Sequence, residues 1–483
     1  MQNTKLIQLL KTFSHQEFRQ FRDFVNSPFY NKNKNVISLL NVLKKYYPEF
    51  GNSLPNEEMI FKTVFDKEVY DYFKLKNIVS DLLVLGKEFL SASMFNRNEH
   101  IKNKFLLEQL RDRNLDSMFL QLYKAYNEKL DIHPVRDEYY FSKKFDLAEE
   151  LKCYYSPREP NFHQNLFQVQ LDNFVSFALI KMIRLYNTML HENKQNNSEF
   201  DLKMFEETFQ YMKNNKIENN PTLLMFYYIV LLQKKNDEKY FFKLKKLVNE
   251  NFNSFSHFDI YMYFLHMAGF CAEMYNVKCR TDFAREHFLL SKENFDRGTI
   301  EMGKIMYPDF MNHVKIAVRV EEFEWAEKYM NKYKDTLSDE YKNETLNFCY
   351  GYINFRKGNL EKALDLFSQS NFPNFILKVQ VKIFLLQIYY EKEYYEQAFA
   401  MIDTFKHYLL REKNLIEGYR KSFAEFARIT NELIRIKSKL SSGETKFNLD
   451  RIKLDIEKIK YNQFGIKLWL REKANEMRSK QIN

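Results

Sequence analysis

The chain has 483 residues, of which 45% are hydrophobic, so it can bury a large core. Only 10 glycines and 9 prolines are present, too few for the many turns of an all-β or a doubly wound α/β protein of this length. The formal net charge of +10 suggests nucleic acid or another anionic surface as a partner. Lysine is, however, accompanied by 47 phenylalanines and 32 tyrosines, as A- and T-rich codons would produce, and this second explanation weakens the first.

The four cysteines, Cys153, Cys271, Cys279 and Cys349, form no CxxC pair, so we expect reduced thiols without zinc or disulfide bonds. The amino terminus lacks the apolar run and the cleavage site of a signal peptide. The longest apolar run, residues 223–232, is too short to cross a bilayer and is typical of a buried helix. A soluble, cytoplasmic protein is therefore expected.

Residues 1–95 are predicted to form a compact N-terminal helical unit. Ser14 and Glu17 have the spacing of a capping box at the start of a helix. A longer helix is predicted over residues 70–94, because its apolar residues recur at helical spacing. This unit resembles helical proteins of bacteria, a likeness that implies no function.

Residues 96–215 form a middle helical region, in which the strongest helical patterns cover residues 139–154 and 162–190. Sustained alternation of apolar and polar residues, which would indicate strands, is found nowhere in the chain. The sequence therefore predicts an all-α fold.

From about residue 216 the predicted helices become shorter and pair. One pattern occurs three times: an apolar or aromatic residue, alanine three positions later, and a large apolar residue after that. The pairs are Phe323 and Ala326, Leu360 and Ala363, and Tyr395 and Ala398. The alanines are 37 and 35 residues apart, which indicates a repeated helical hairpin held close by a small side chain.

These residues resemble the tetratricopeptide repeat (TPR). The resemblance rests on Gly351, Phe355, Gly358, Leu360, Ala363, Phe367 and Pro373, and on Leu385, Tyr389, Tyr390, Tyr395, Ala398 and Ile402 in the next unit. Glu393 stands where Gly358 stands one unit earlier. Three units are expected over residues 307–410, and Ala284 marks a fourth only if the 42 residues to Ala326 include an insertion. The resemblance implies a right-handed α-solenoid of antiparallel helical hairpins over residues 216–440.

Residues 441–483 are predicted to be a linker followed by one helix over residues 449–477. Its apolar residues alternate with charges, as expected of a helix that caps the last exposed edge of a repeat array. The basic excess of this segment leaves a contact tail as the alternative.

No pattern for catalysis or for a cofactor occurs in the sequence. The glycines are too scattered for a phosphate-binding loop, and neither HExxH nor GxSxG occurs. His257, His266 and Cys271 do not share one helix face, so they are not expected to bind a metal. We therefore predict a protein that is not an enzyme and needs no cofactor.

The segment of residues 233–246 interleaves six lysines with three aromatic residues, a composition that could bind RNA. The competing interpretation is an amphipathic helix whose aromatic residues are core and whose lysines face water, and we favour it. An RNA- or ribosome-associated protein is thus the alternative to the function predicted next.

The TPR resemblance implies that the first helices of successive hairpins line a concave face. The implied lining residues are Lys315, Arg319, Phe348, Tyr352, Arg356, Ile383, Gln387 and Tyr390. Lys315 and Arg319 are one helical turn apart and, with Arg356, could bind the carboxylates of an acidic or C-terminal peptide. The resulting prediction is a cytoplasmic adaptor that holds a protein or peptide partner.

Overall fold

The computed structural model describes residues 1, 3–51, 54–66, 68–158, 164–196, 199–215, 217–299, 305–412, 415–441 and 449–482. These residues form 23 α-helices connected by turns and short 3-10 helices, and they contain no β-strand. The prediction of an all-α fold is therefore confirmed.

The chain forms two compact units, called unit 1 and unit 2 below. Unit 1 comprises Met1–His133 and Tyr139–Val175, and unit 2 comprises Pro134–Glu138 and Ser176–Asn483. The domain boundaries placed at residues 95, 215 and 440 stay predictions.

The first nine helices begin in or next to unit 1. They are α1 (Lys5–Leu10), α2 (His15–Asn26), α3 (Lys34–Lys44), α4 (Glu57–Phe65), α5 (Tyr72–Arg97), α6 (Glu99–Asp112), α7 (Asp116–Ile132), α8 (Glu138–Tyr155) and α9 (Gln164–Asn196). Helices α1–α5 share one core cluster, and α6–α8 share a second. Helix α9 runs from residues of unit 1 into residues of unit 2.

Local side-chain caps explain where many of these helices begin. The predicted capping box is present: the Glu17 N–H donates to Ser14 Oγ over 3.2 Å, and the Ser14 N–H donates to the Glu17 carboxylate over 2.9 Å. Asparagine, abundant in this chain, caps five further helices through its side-chain oxygen, at Asn33, Asn56, Asn98, Asn220 and Asn374. Each such cap stabilises a helix by about 1 kcal/mol.

Three helices match the ranges predicted for the first half of the chain. Helix α5 begins two residues after the start of the helix predicted over residues 70–94 and covers the rest of it, and α8 covers the one predicted over residues 139–154. Helix α9 covers the one predicted over residues 162–190, except that residues 162 and 163 lie outside the described residues.

The remaining helices belong to unit 2. They are α10 (Phe205–Asn214), α11 (Pro221–Lys235), α12 (Glu238–Asn251), α13 (His257–Asn276), α14 (Asp282–Asp296), α15 (Tyr307–Arg319), α16 (Phe323–Tyr333), α17 (Lys342–Arg356), α18 (Leu360–Ser368), α19 (Phe375–Glu391), α20 (Tyr395–Arg411), α21 (Glu417–Ser441), α22 (Leu449–Lys458) and α23 (Ile466–Ile482). Helices α11 to α20 pack in consecutive pairs, so they form five helical hairpins, each with a first and a second helix.

The turn inside every one of these hairpins contains a residue with positive φ. These residues are Asn236, Cys279, Glu321, Gly358 and Glu393, with φ between 49° and 82°. In the last three turns the next N–H donates to the carbonyl five residues earlier, over 2.9 to 3.1 Å. Glu393 therefore has the same left-handed backbone as Gly358, although glutamate lacks the conformational freedom of glycine. The departure from the repeat pattern at Glu393 does not change the turn.

The small residues of the repeat pattern lie in tight contacts. Ala326, Ala363 and Ala398 each follow the left-handed residue by five positions, and all three are fully buried. A Cβ atom added to Gly351 on α17 would lie 3.1 Å from the ring of Phe367 on α18. Ala326, Ala363 and Ala398 therefore occupy equivalent positions in three consecutive hairpins, where a small side chain lets the two helices approach each other closely.

The hairpins extend further toward the N-terminus than the three units inferred from spacing. Ala284 follows the left-handed Cys279 by five positions and is 4% exposed, so α13 and α14 are a hairpin of the same kind. Between α11 and α12 the residue with left-handed backbone is Asn236, as Cys279 is between α13 and α14. Five positions after Asn236, the buried Phe241 stands in place of the alanine. The irregular spacing hid these hairpins, because their helices and connections differ in length.

The C-terminal segment differs from the single helix predicted over residues 449–477. It is a hairpin of α22 and α23, and the turn between them contains Phe464 and Gly465 at φ of 59° and 79°. Helix α23 starts separately because Asn462 caps its first turn. The side-chain oxygen of Asn462 accepts the N–H groups of Lys467 and Leu468 over 2.8 and 3.1 Å. Residues 442–448, part of the predicted linker, lie outside the described residues.

By length and composition alone, one described helical stretch could cross a membrane. It is the Asn165–Asn193 part of α9, with a mean hydropathy of 1.2 and 11% of its most apolar window buried. The half of α9 in unit 2 carries Arg184, whose guanidinium bonds with the carboxylates of Glu138 and Asp259 inside that unit. That half is thus part of the packing of unit 2. Localisation stays a prediction.

Candidate functional site

Three basic side chains lie near the C-terminal ends of two neighbouring first helices in unit 2. Lys315 and Arg319 are one turn apart on α15, and Arg319 is its last residue. Arg356 is the last residue of α17, which packs directly against α15. Because helix C-termini carry a partial negative charge, a cation in the last turn is favoured by about 0.3–1 kcal/mol. These three cations are called the basic site below.

The last turn of α13 adds Tyr275 to the basic site. The guanidinium carbon of Arg319 lies 4.2 Å from the ring centre of Tyr275, within the range of a cation–π contact. Burial raises the pKa of Tyr275, whereas the charges of Arg319 and Arg356 act in the opposite direction. Both guanidiniums are therefore close enough to influence one phenol group.

Lys315 lies deeper than the two arginines. Its Nζ donates to the side-chain oxygen of the buried Gln380 on α19 over 3.2 Å. Burial and, to a smaller extent, the charge of Arg319 lower the pKa of Lys315 to about 8, and Cys349 on α17 acts against both. A partly desolvated ammonium of this kind gains from a nearby negative charge, because its present partner is a neutral amide.

The basic site carries little compensating negative charge. Among the described residues, no carboxylate lies within 4 Å of the charged atoms of Lys315 or Arg319, and Glu321 lies 4.0 Å from Arg356. The Arg356 side chain is 38% exposed. An anion would therefore meet two cations, Lys315 and Arg319, that the described residues leave without a close acidic partner, and a third, Arg356, with one distant partner.

The other five residues expected to line the concave face are buried. Phe348, Tyr352, Ile383, Gln387 and Tyr390 are each at most 8% exposed. The rings of Phe348 and Tyr352 pack against Phe384, with ring centres 6.1 and 5.1 Å away. That all eight residues line one groove stays a prediction, and the surface that the structure offers among them is the basic site.

The sequence did not identify Tyr275 as part of the site. Ala284 is the sequence signal that could have identified Tyr275. If this alanine marks a further hairpin, α13 is the first helix of the hairpin that precedes the one formed by α15 and α16. The last turn of α13 would then be expected beside the last turn of α15, where Arg319 lies.

The lysine-rich segment of residues 233–246 spans the end of α11 and most of α12, and its α12 part has the character of an amphipathic helix. Phe241 is fully buried and Tyr240 is 8% exposed, whereas Phe242 is 50% exposed. Four of the six lysines pair with carboxylates: Lys234 with Glu206, Lys239 with Asp237, Lys245 with Glu286, and Lys246 with Glu250. Two of the three aromatic residues are thus core, and most of this positive charge is locally balanced.

His266, one of the three residues considered as metal ligands, is buried in unit 2. His266 is 7% exposed, and burial lowers its pKa to about 4, so it is neutral near pH 7. Its ring lies 5.7 Å from that of His191 in an edge-to-face arrangement. In the part of the chain that the structure describes, no three His, Cys, Asp or Glu side chains converge as metal ligands.

Two surface cavities lie elsewhere in unit 2. One, of about 490 Å³, lies between α22 and α23 beside the ion pair of Glu457 and Arg471. The other, of about 390 Å³, lies beside the ion pair of Glu238 and Arg280. Both cavities hold cations that are already paired, in contrast to the basic site.

The comparisons with known proteins add no family to these observations. No protein-family model matches the sequence, and neither the curated proteins nor the solved structures that were searched contain a match.

Proposed function

We propose that this chain is a cytoplasmic, non-catalytic adaptor, in which a right-handed α-solenoid of TPR-like hairpins binds an acidic segment or the C-terminal carboxylate of a partner protein. The observation that carries the proposal is the basic site. Lys315, Arg319 and Arg356 come from two adjacent hairpins, and the first two lack a close acidic partner among the described residues. Carboxylates are the natural ligands of such a cluster, because charge-assisted hydrogen bonds to Lys and Arg are among the strongest.

The proposal is tested by affinity purification of the full chain from its native cell extract, followed by mass spectrometry. The test variant is Lys315→Met with Arg319→Gln, and the matched control is Lys246→Met with Lys421→Met, two lysines that are 75% and 76% exposed outside the site. We expect the test variant to lose its main partner while circular dichroism shows unchanged helicity. A partner retained equally by both variants would remove the basic site from the proposal.

The kind of ligand is tested directly with synthetic peptides that end in Asp or Glu. Each peptide is made with a free C-terminal carboxylate and with an amide, and binding is followed by fluorescence anisotropy. A requirement for the C-terminal carboxylate predicts at least tenfold weaker binding of the amides. Equal binding of the two forms would assign recognition to the acidic side chains, and failure of all peptides to bind would overturn the carboxylate specificity.

An RNA-associated function is the alternative, and the ion pairs on α12 weigh against it. A filter-binding assay with single-stranded RNA between 50 and 200 mM salt separates the two. Binding that is tight at low salt and falls by orders of magnitude over this range is expected of an RNA-binding protein. Weak binding at every salt concentration is expected of the adaptor.

A further inference from the structure

The C-terminal hairpin of α22 and α23 contacts a first helix far away along the chain. The N–H of Asn462 donates to the carbonyl oxygen of Asn276, the last residue of α13, over 2.5 Å. Gly465 lies against Tyr275 on the same turn of α13, since a Cβ atom added to this glycine would be 3.7 Å from the Tyr275 hydroxyl. The turn at residues 459–465 therefore rests on the end of α13.

The other end of the same hairpin is attached to α19 and α21. Lys473 Nζ lies 2.9 Å from the carboxylate of Glu391, the last residue of α19, and the Lys473 side chain is 8% exposed. The Trp469 ring packs edge-to-face on Tyr390 of α19, with ring centres 5.1 Å apart, and lies 5.9 Å from Phe426 of α21. Helix α23 is thus held by the last of the five hairpins and by the helix that follows it.

The hairpin itself is firmly packed. Ile456 and Ile466 are fully buried, and Leu470 and Ala474 of α23 are fully buried as well. These residues belong to the core cluster that also contains Ala326, Ala363 and Ala398. An element that touches both α13 and α19 connects two helices whose hairpins are separated by two other hairpins.

We infer that the C-terminal hairpin is a clasp, which joins α13 to α19 and α21 and so fixes the arc of first helices that carries Lys315, Arg319 and Arg356. In an array with contacts only between neighbouring repeats, either end can open by itself, because each repeat depends on the next one alone. The clasp adds a connection between non-neighbours. Opening at α19 therefore promotes opening at α13, even though the two helices belong to different hairpins.

Hydrogen–deuterium exchange of the full chain tests the clasp. The variant Lys473→Met removes the ion pair with Glu391 on α19. We expect faster exchange in the last turn of α19 and, through the clasp, an increase of at least fivefold for the last turn of α13, which Lys473 does not contact. The control is Lys458→Met, because Lys458 is 75% exposed and pairs with Asp455 inside α22. The control should leave α13 unchanged.

The reciprocal variant, Asn462→Ala, weakens the cap of α23 beside its contact with α13. Faster exchange is then expected in the last turns of both α13 and α19. If Lys473→Met accelerates α19 alone and Asn462→Ala accelerates α13 alone, the hairpin is a local cap and the clasp is overturned. Neither variant replaces a residue of the basic site, and exchange is measured without a partner, so the outcome is independent of the proposed function.

Discussion

Unit 1 and unit 2 bury their apolar residues in different ways. In unit 1, helices α1–α5 form one core cluster and α6–α8 form another. In unit 2, one cluster extends from Phe288 on α14 to Met477 on α23, and the buried apolar residues of α11–α13 lie outside it. Each helical hairpin leaves an apolar face that the next hairpin covers, so stacking produces a continuous core. The comparison teaches that a short repeated pattern can build a core much longer than any one repeat.

The largest expected effect concerns the buried charges of unit 2. Arg184 bonds with Glu138 and Asp259, whose side chains are 3% and 0% exposed. Burial raises the pKa of Asp259, and Arg184 opposes that rise. Arg184→Ala leaves both carboxylates without this cation, so we expect a loss of about 3–5 kcal/mol in the free energy of unfolding of unit 2, measured by urea denaturation.

A salt bridge of unit 1 provides the contrast. Lys129 pairs with Glu99 at 2.7 Å, but the two side chains are 63% and 55% exposed. Water solvates both charges there, so Lys129→Ala should change the free energy of unfolding by at most about 1 kcal/mol. Similar losses for Arg184→Ala and Lys129→Ala would show that the buried network contributes no more than a surface pair.

Two partly buried histidines make the stability of unit 2 depend on pH. Burial lowers the pKa of His313 to about 4 and that of His287 to about 3, so both are neutral in the folded chain. The unfolded chain takes up these protons near pH 6.5. Stability is therefore fully present above pH 6.5 and falls as the pH drops toward 4, by about 1.4 kcal/mol per pH unit for each histidine.

At pH 5 each of these histidines lowers the free energy of unfolding by about 2 kcal/mol relative to pH 7. The measurement is the urea midpoint of unit 2 at pH 7, 6 and 5, for the wild-type chain and for His313→Gln. The variant should take up about one proton fewer on unfolding, so its free energy of unfolding should depend less steeply on pH. An unchanged slope would mean that His313 is protonated equally in both states.

The repeated alanine offers a test of the tight hairpins. Ala363 is fully buried between α17 and α18, so Ala363→Leu should destabilise unit 2 by about 1–3 kcal/mol through overpacking. The matched control is Ala125→Leu on α7 of unit 1, where the alanine is exposed and a change within about 0.5 kcal/mol is expected. Thermal unfolding of the two variants gives the comparison, and equal midpoints would contradict close packing at Ala363.

The smallest expected effect concerns the turns. Gly358 has φ of 82°, and a Cβ atom added to it would meet no other atom within 4 Å, so Gly358→Ala carries only the conformational cost of about 1 kcal/mol. Glu321 occupies the same position one hairpin earlier at φ of 64°, and Glu321→Gly should stabilise by a similar amount. Urea denaturation should move the two midpoints in opposite directions. Shifts of the same sign would show that the turns are not equivalent.

Part of this fold could be read from local patterns. Ser14 and Glu17 predict a helix start because a capping box involves residues only three positions apart. The alanines at 326, 363 and 398 predict three hairpins because a small side chain at the same place in each of them allows close helix packing. The basic site was accessible in the same way, since Arg319 and Arg356 are one repeat apart.

Other features left little local signal. The hairpin marked by Asn236 could not be inferred from the alanine pattern, because Phe241 stands in place of the alanine, and the hairpin marked by Cys279 was indicated only by Ala284 at an irregular distance of 42 residues from Ala326. The sequence did not indicate the break between α22 and α23 after Lys458, because the charged residues on both sides of the break continue a helical pattern.

By itself, the amino-acid sequence determined the all-helical class, many helix starts and the register of three hairpins, because caps and helix packing depend on neighbouring residues and on a regular spacing. Only the tertiary structure decided that Phe348, Ile383, Gln387 and Tyr390 are buried, and that Tyr275 lies beside Arg319. It also decided that Asn462 returns to Asn276. Contacts between residues so far apart in the chain arise from the packing of all the helices between them, and no periodic pattern records them.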